Sequence, residues 1–137
     1  MAAIARRTLL ALAAVTMLKA ADNSADALRV VNRLTTALSG GDAGIAMDAF
    51  DKSCPGYETL SDYFAALTNA FAITNEADVT DEQDSATAIS LTLDWTLTLR
   101  SLASETTVRR QKEVKLQIAP KSWKITRFSP IDLFNPA

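Results

Sequence analysis

Between Ile89 and Arg100 the chain alternates without a break. Ile89, Leu91, Leu93, Trp95, Leu97 and Leu99 are apolar; Ser90, Thr92, Asp94, Thr96, Thr98 and Arg100 are polar. Successive side chains of a strand point to opposite faces, so this run predicts a long strand with one buried and one wet face. A second alternating run covers residues 108–118, and residues 122–125 give a short third. Strands wet on one side belong to antiparallel sheets, and the apolar side then needs a cover of helices. The alternation thus constrains the architecture and says nothing about chemistry.

The helices are found upstream. Leu28, Val31, Leu34 and Leu38 recur at helical spacing over residues 25–38, and Gly40-Gly41 ends that helix. Asp42 is placed to cap a short second helix reaching Phe50, with Ile45, Ala49 and Phe50 turned inward. A third helix is expected over residues 59–71, with Leu60, Phe64, Leu67 and Phe71 as its stripe and Thr59 with Asp62 as a capping pair. Residues 72–79 read as a first strand and residues 80–85 as a polar turn. The tail, residues 129–136, reads as irregular but anchored by Ile131, Leu133 and Phe134. The expected class is α+β: N-terminal helices packed on a curved antiparallel sheet of about four strands.

The chain's 137 residues suit one domain. It has no histidine and a single cysteine, Cys54. A histidine-served serine or cysteine nucleophile is therefore excluded, and so is an intrachain disulfide. No metal site or cofactor is expected. Residues 1–20 carry Arg6 and Arg7 ahead of an apolar run over residues 9–18. That pattern predicts a signal peptide and an exported domain over residues 21–137, periplasmic or secreted, with no stable membrane anchor after cleavage. An uncleaved anchor and an extra N-terminal helix are the alternatives, since Leu18 departs from the usual small residue before a cut after Ala20. Residues 21–137 hold eleven basic and sixteen acidic residues. Their net charge of about −5 argues against nucleic acid as a partner. The charges are also segregated: thirteen of the acidic residues precede Arg100, whereas eight of the basic ones lie from Arg100 onward.

The order of elements, together with Trp123-Lys124-Ile125, Asp94-Trp95, Arg109-Arg110 and the tail from Pro130 to Pro136, resembles the nuclear transport factor 2-like (SnoaL-like) superfamily, in particular its small exported bacterial members. The resemblance implies a cone-shaped, cystatin-like fold. The superfamily includes dehydratases, a ketosteroid isomerase, hydrolases, transport adaptors and ligand-binding domains. Its enzymes usually work with histidine, aspartate and tyrosine inside the cone. This chain lacks the histidine, and strand parity turns no aspartate inward.

The pocket candidates are Tyr63, Phe64, Trp95, Arg110 and Lys112. Arg110 and Lys112 share the row of Val114, Leu116 and Ile118, where they could meet an anionic ligand or pair with Asp48 or Asp62. Asp94 falls on the wet face; Trp95 and Trp123 read as core. Cys54 has no activating neighbour and is expected to be inert. The expected function is non-enzymatic binding of a small apolar or amphipathic molecule, or of a protein partner, with a homodimer through the sheet face. The alternative is an isomerase- or dehydratase-type enzyme using tyrosine and carboxylate. A hollow interior would favour a ligand or a substrate, and a filled one a protein partner.

Overall fold

The computed structural model describes residues 14–137, with side chains from Asn23 onward. Helix α1 (Ala14–Ser39) is followed by α2 (Ala43–Met47) and α3 (Tyr57–Ala70). Strands β1 (Phe71–Asp84), β2 (Ile89–Ser101), β3 (Thr107–Ala119) and β4 (Lys124–Ser129) come next, followed by a 3-10 turn, Ile131–Phe134. The strands form one antiparallel sheet in sequential order. The expected α+β class, with helices laid on one face of a curved four-stranded sheet, is the fold observed. Residues 1–13 of the expected signal segment lie outside the described residues. Residues 14–20 belong to α1, which begins well before the expected residue 25.

The core lies between the helices and the inner row of the sheet. Every apolar residue of the β2 alternation, from Ile89 to Leu99, is at most 2 % exposed. Val114, Leu116 and Ile118 on β3 and Ile125 and Phe128 on β4 continue that face. From above, α1 contributes Ala27, Val30, Val31, Leu34, Ala37 and Leu38, and α3 contributes Leu60, Phe64 and Leu67. Gly41 stands at a φ of 76° between α1 and α2, a left-handed conformation open to glycine at no steric cost. Asp42 caps α2 as expected, accepting from the Ile45 N–H at 2.9 Å.

Several expectations are corrected. Leu28 and Ile45 are 43 % and 47 % exposed; the α1 stripe is rotated onto Ala27 and Val30, and α2 buries Ala46 and Met47 instead. At the start of α3, Gly56 takes the cap position with no side-chain bond, so Thr59 and Asp62 form no capping box. Trp123 is not a core residue. It sits half-buried at a φ of 56° in the β3–β4 turn, packed against the core's margin. The polar residues 80–84 do not turn but extend β1, which changes the chemistry of its far end.

Candidate functional site

The sheet and helices enclose an interior filled by aromatic rings. Phe64 of α3, Trp95 of β2, Phe128 of β4 and Phe134 of the final turn converge there. Phe134 meets Phe64 edge-on at 4.9 Å between centroids, Trp95 at 5.8 Å and Phe128 at 5.5 Å. Phe50 closes the cluster against Phe64 and Phe128. Phe64, Trp95 and Phe134 are wholly buried. Perpendicular and tilted ring pairs of this kind add stability beyond the area they bury. The expected irregular tail is thus a structured plug whose Leu133 and Phe134 complete the core.

Arg110 explains how the plug is held. Its Nη1 donates to the carbonyls of Leu133, at 2.9 Å, and Asn135, at 2.6 Å. These carbonyls lie at the end of a short 3-10 turn, where no intrahelical donor reaches them. The guanidinium supplies that donor. Its partners are these carbonyls, not the expected carboxylates of Asp48 or Asp62. Lys112, two residues along the same row, is exposed. Of the five pocket candidates, Phe64, Trp95 and Arg110 meet around the plug. Tyr63 is half-buried at the core's margin and Lys112 remains in solvent.

The indole N–H of Trp95 donates to Asn75 Oδ1 at 3.1 Å. Asn75 in turn donates to the Thr35 carbonyl at 3.3 Å and to Ser39 Oγ at 3.2 Å, tying β1 and β2 to the end of α1. Asn75 faces Leu97 across the ladder, so this network is on the inner side of the sheet.

A carboxylate pair also lies on that inner side, contrary to the parity read from the sequence. The β1–β2 register shifts between Val79 and Asp81. One extra residue, Thr80, is accommodated there, its hydroxyl donating to the Thr92 carbonyl at 3.2 Å. Beyond this bulge Glu82 opposes Leu91 and Asp84 opposes Ile89, so both acids share the face of buried side chains. Ser24 Oγ of α1 lies 2.9 and 2.8 Å from the two Glu82 carboxylate oxygens and donates between them. Asp84 is exposed as a residue, yet partial withdrawal of its carboxyl from water, then the Glu82 carboxyl beside it, raises its pKa to about 7. No alternation in the sequence signals this pair, because a bulge inverts parity without a compositional mark.

Elsewhere the titratable groups are structural. Cys54 is buried, and burial followed by the nearby Asp51 charge pushes its thiol pKa up, as expected for an inert thiol. The Ser53 hydroxyl and N–H hold the Asp51 carboxyl below its ordinary range. Among the described residues no cluster of three or more acidic or sulfur ligands has metal-binding geometry.

The outer face of the sheet is wet and polarised. Asp78, Asp94 and Glu113 form a transverse row of three acids, directly opposed across β1, β2 and β3. Like charges so placed repel; Gln111 Nε2 offsets part of this by donating to both Asp94 oxygens at 3.2 and 3.1 Å. Toward β1 the face carries Glu76 and Asp81; toward β3 and β4 it carries Arg109, Lys115 and Arg127. An open cleft of about 640 Å³ lies at one end of the sheet, lined by Asp81, Lys115 and Arg127 of the outer face and also by Pro55, Gly56 and Ile131.

No family profile matches the chain. No curated protein sequence matches it. Solved structures do resemble it. A conserved protein from Planctomyces limnophilus aligns with a TM-score of 0.71 at 9 % identity, covering 78 % of this chain and 93 % of that one. A nuclear transport factor 2-like superfamily protein from Salmonella enterica serovar Typhimurium aligns at 0.63 and 16 % identity, over 77 % and 89 % of the two chains. A ketosteroid isomerase-like protein from Erwinia carotovora atroseptica aligns at 0.60 and 14 % identity, over 76 % and 91 %. The chain therefore has the nuclear transport factor 2-like fold, shared with ketosteroid isomerase-like proteins.

Proposed function

We propose that this chain is a non-enzymatic interaction domain that pairs with a second copy of itself through the outer face of its sheet. The observation carrying this reading is the aromatic plug. The volume in which such a fold could hold a small apolar molecule is taken by Phe134, and the one cation of the inner row in contact with it, Arg110, is engaged by the plug's own carbonyls. That weighs against a small ligand and for a protein partner. The outer face supplies a self-complementary surface. A two-fold axis near β2 would set the acidic β1 side of one copy against the basic β3–β4 side of the other. The polar, mixed character of the face suits a wet interface. Sedimentation equilibrium of residues 21–137 tests this. A dimer weakened by salt and abolished by joint Lys115→Glu and Arg127→Glu substitution supports the reading; a monomer at millimolar concentration refutes it. Export, the setting proposed from residues 1–20, is tested by N-terminal sequencing of the mature protein.

A second reading follows from Asp84. A carboxyl with a pKa of about 7 on the inner face has the poise of a general base for proton abstraction. An isomerase-type activity would be read as conjugation of a β,γ-unsaturated ketone, followed by absorbance, and would have to vanish in Asp84→Asn.

A further inference from the structure

The four-stranded sheet is incomplete on one side. β4 pairs with β3 only from Lys115 to Ala119, so among the described residues no strand lies beyond residues 107–113 of β3. Hydrogen-bond parity identifies which groups are left open. The Ser101 N–H donates to the Thr106 carbonyl, which makes 101 and 106 a hydrogen-bonded pair of the β2–β3 ladder. Such pairs recur every second residue, so Val108, Arg110 and Lys112 turn their backbone groups to β2. Thr107, Arg109, Gln111 and Glu113 turn theirs outward. Among the described residues none of these four has a backbone partner outside the β2–β3 ladder. The open slot is about 23 Å long at ordinary strand rise.

The charge on this edge is lopsided. Arg109 and Lys112 are exposed, one on each face of the slot, and Lys115 stands at its end; Glu113 is the sole acid. Among the described residues the one ion pair is Arg29 with Asp26, so neither Arg109 nor Lys112 has an anionic partner. Val108, 37 % exposed, adds an apolar contact on the inner side. Antiparallel self-pairing centred on Gln111 sets Arg109 against Glu113 but Lys112 against Arg110, so the charges of a second copy offset one another, whereas an acidic strand opposes the cations alone.

We propose that the outer edge of β3, residues 107–113, is a strand-addition site for an acidic extended segment of another protein. The four outward N–H and C=O sets would provide the ladder. Arg109 and Lys112 would select carboxylates on both faces of the added strand, and Val108 would take an apolar side chain between them. This goes beyond the face-to-face pairing proposed above and does not depend on it. Cationic edges also serve simply to repel other strands, and an edge of that kind binds nothing.

The test is titration of a fluorescein-labelled peptide of four Glu-Val repeats into the full domain, read by anisotropy, beside a Lys-Val control. Saturable binding of the acidic peptide alone is expected. Slower amide exchange at Thr107, Arg109, Gln111 and Glu113 should accompany it. Gln111→Pro removes one outward N–H and leaves the β2 ladder intact, since proline is tolerated on a strand edge. It should weaken binding by about tenfold or more. Should that variant fail to fold, joint Arg109→Glu and Lys112→Glu substitution at exposed sites gives the same readout. Equal binding by either folded variant, or no binding at all, overturns the proposal. Concentration-dependent self-association lost in Gln111→Pro, without peptide binding, would assign the edge to a second copy and likewise overturn it. Sedimentation of the same variants distinguishes loss of the face-to-face dimer from loss of the edge site.

Discussion

Asn75 is the residue on which the join between helix and sheet can be tested most sharply. Its Oδ1 is the acceptor for the Trp95 indole N–H, and Trp95 is wholly buried. Asn75→Ala leaves that N–H without a partner in the core, a penalty of about 1–3 kcal/mol. The bonds to Thr35 and Ser39 are longer and partly exposed, and their loss adds about 0.5 kcal/mol. The total is about 1.5–3.5 kcal/mol. With an unfolding entropy of about 0.25 kcal/mol/K for a domain of this size, Tm should fall by about 10 °C. The double-mutant cycle with Trp95→Phe isolates the cause. Phenylalanine has no N–H to strand, so Asn75→Ala in that background should be milder by about 1–2 kcal/mol. Urea unfolding followed by far-UV circular dichroism measures all four corners without relying on tryptophan fluorescence. Equal effects of Asn75→Ala in both backgrounds would refute the reasoning, because the indole bond would then contribute nothing separable.

Three further outcomes are expected. Asp84 titrates at about 7 in the fold against about 3.9 unfolded, so the native state holds the extra proton between those values. Its contribution to stability is therefore full below about pH 4 and is lost as pH rises through 7, damped by solvent because the group is largely exposed; Asp84→Asn should flatten that slope in pH-dependent thermal melts. Phe134→Ala removes a buried ring with three aromatic neighbours and should lower stability by about 3–5 kcal/mol in urea titrations, with Arg110→Met smaller, at about 1–3 kcal/mol, from two stranded carbonyls. The Cys54 thiol, buried and raised in pKa, should react with a thiol-specific disulfide reagent only as the protein unfolds, its rate following unfolding rather than reagent concentration.

What the sequence disclosed follows from what local periodicity can encode. The β2 alternation was legible because each apolar side chain on it does one thing, entering the core, and the period is unbroken for twelve residues. The inner row of β3 was legible as far as Val114 to Ile118. Where Arg110 goes was not, because its acceptors lie 23 and 25 residues away in a tail with no regular pattern. The α1 register is hidden for a different reason. Leu28 outweighs Ala27 in any count of hydrophobic residues, yet the small residue is buried and the large one is left outside. The Glu82–Asp84 pair was hidden by the bulge at Thr80, where a polar stretch reads as a turn and one extra residue exchanges the two faces. Of the five candidate site residues, three converge, and what they surround is the chain's own phenylalanine.

That phenylalanine has a consequence for how the chain must be made. Phe134 follows every other buried residue of the core in chain order. During synthesis, Phe64, Trp95 and Phe128 all leave the ribosome before the ring that fits between them. Until residue 134 emerges, the sheet and helices can assemble only around an unfilled centre, which the cavity penalty of a missing ring makes marginal. The last buried ring therefore times the folding of this domain: native packing is postponed until residue 134 has emerged.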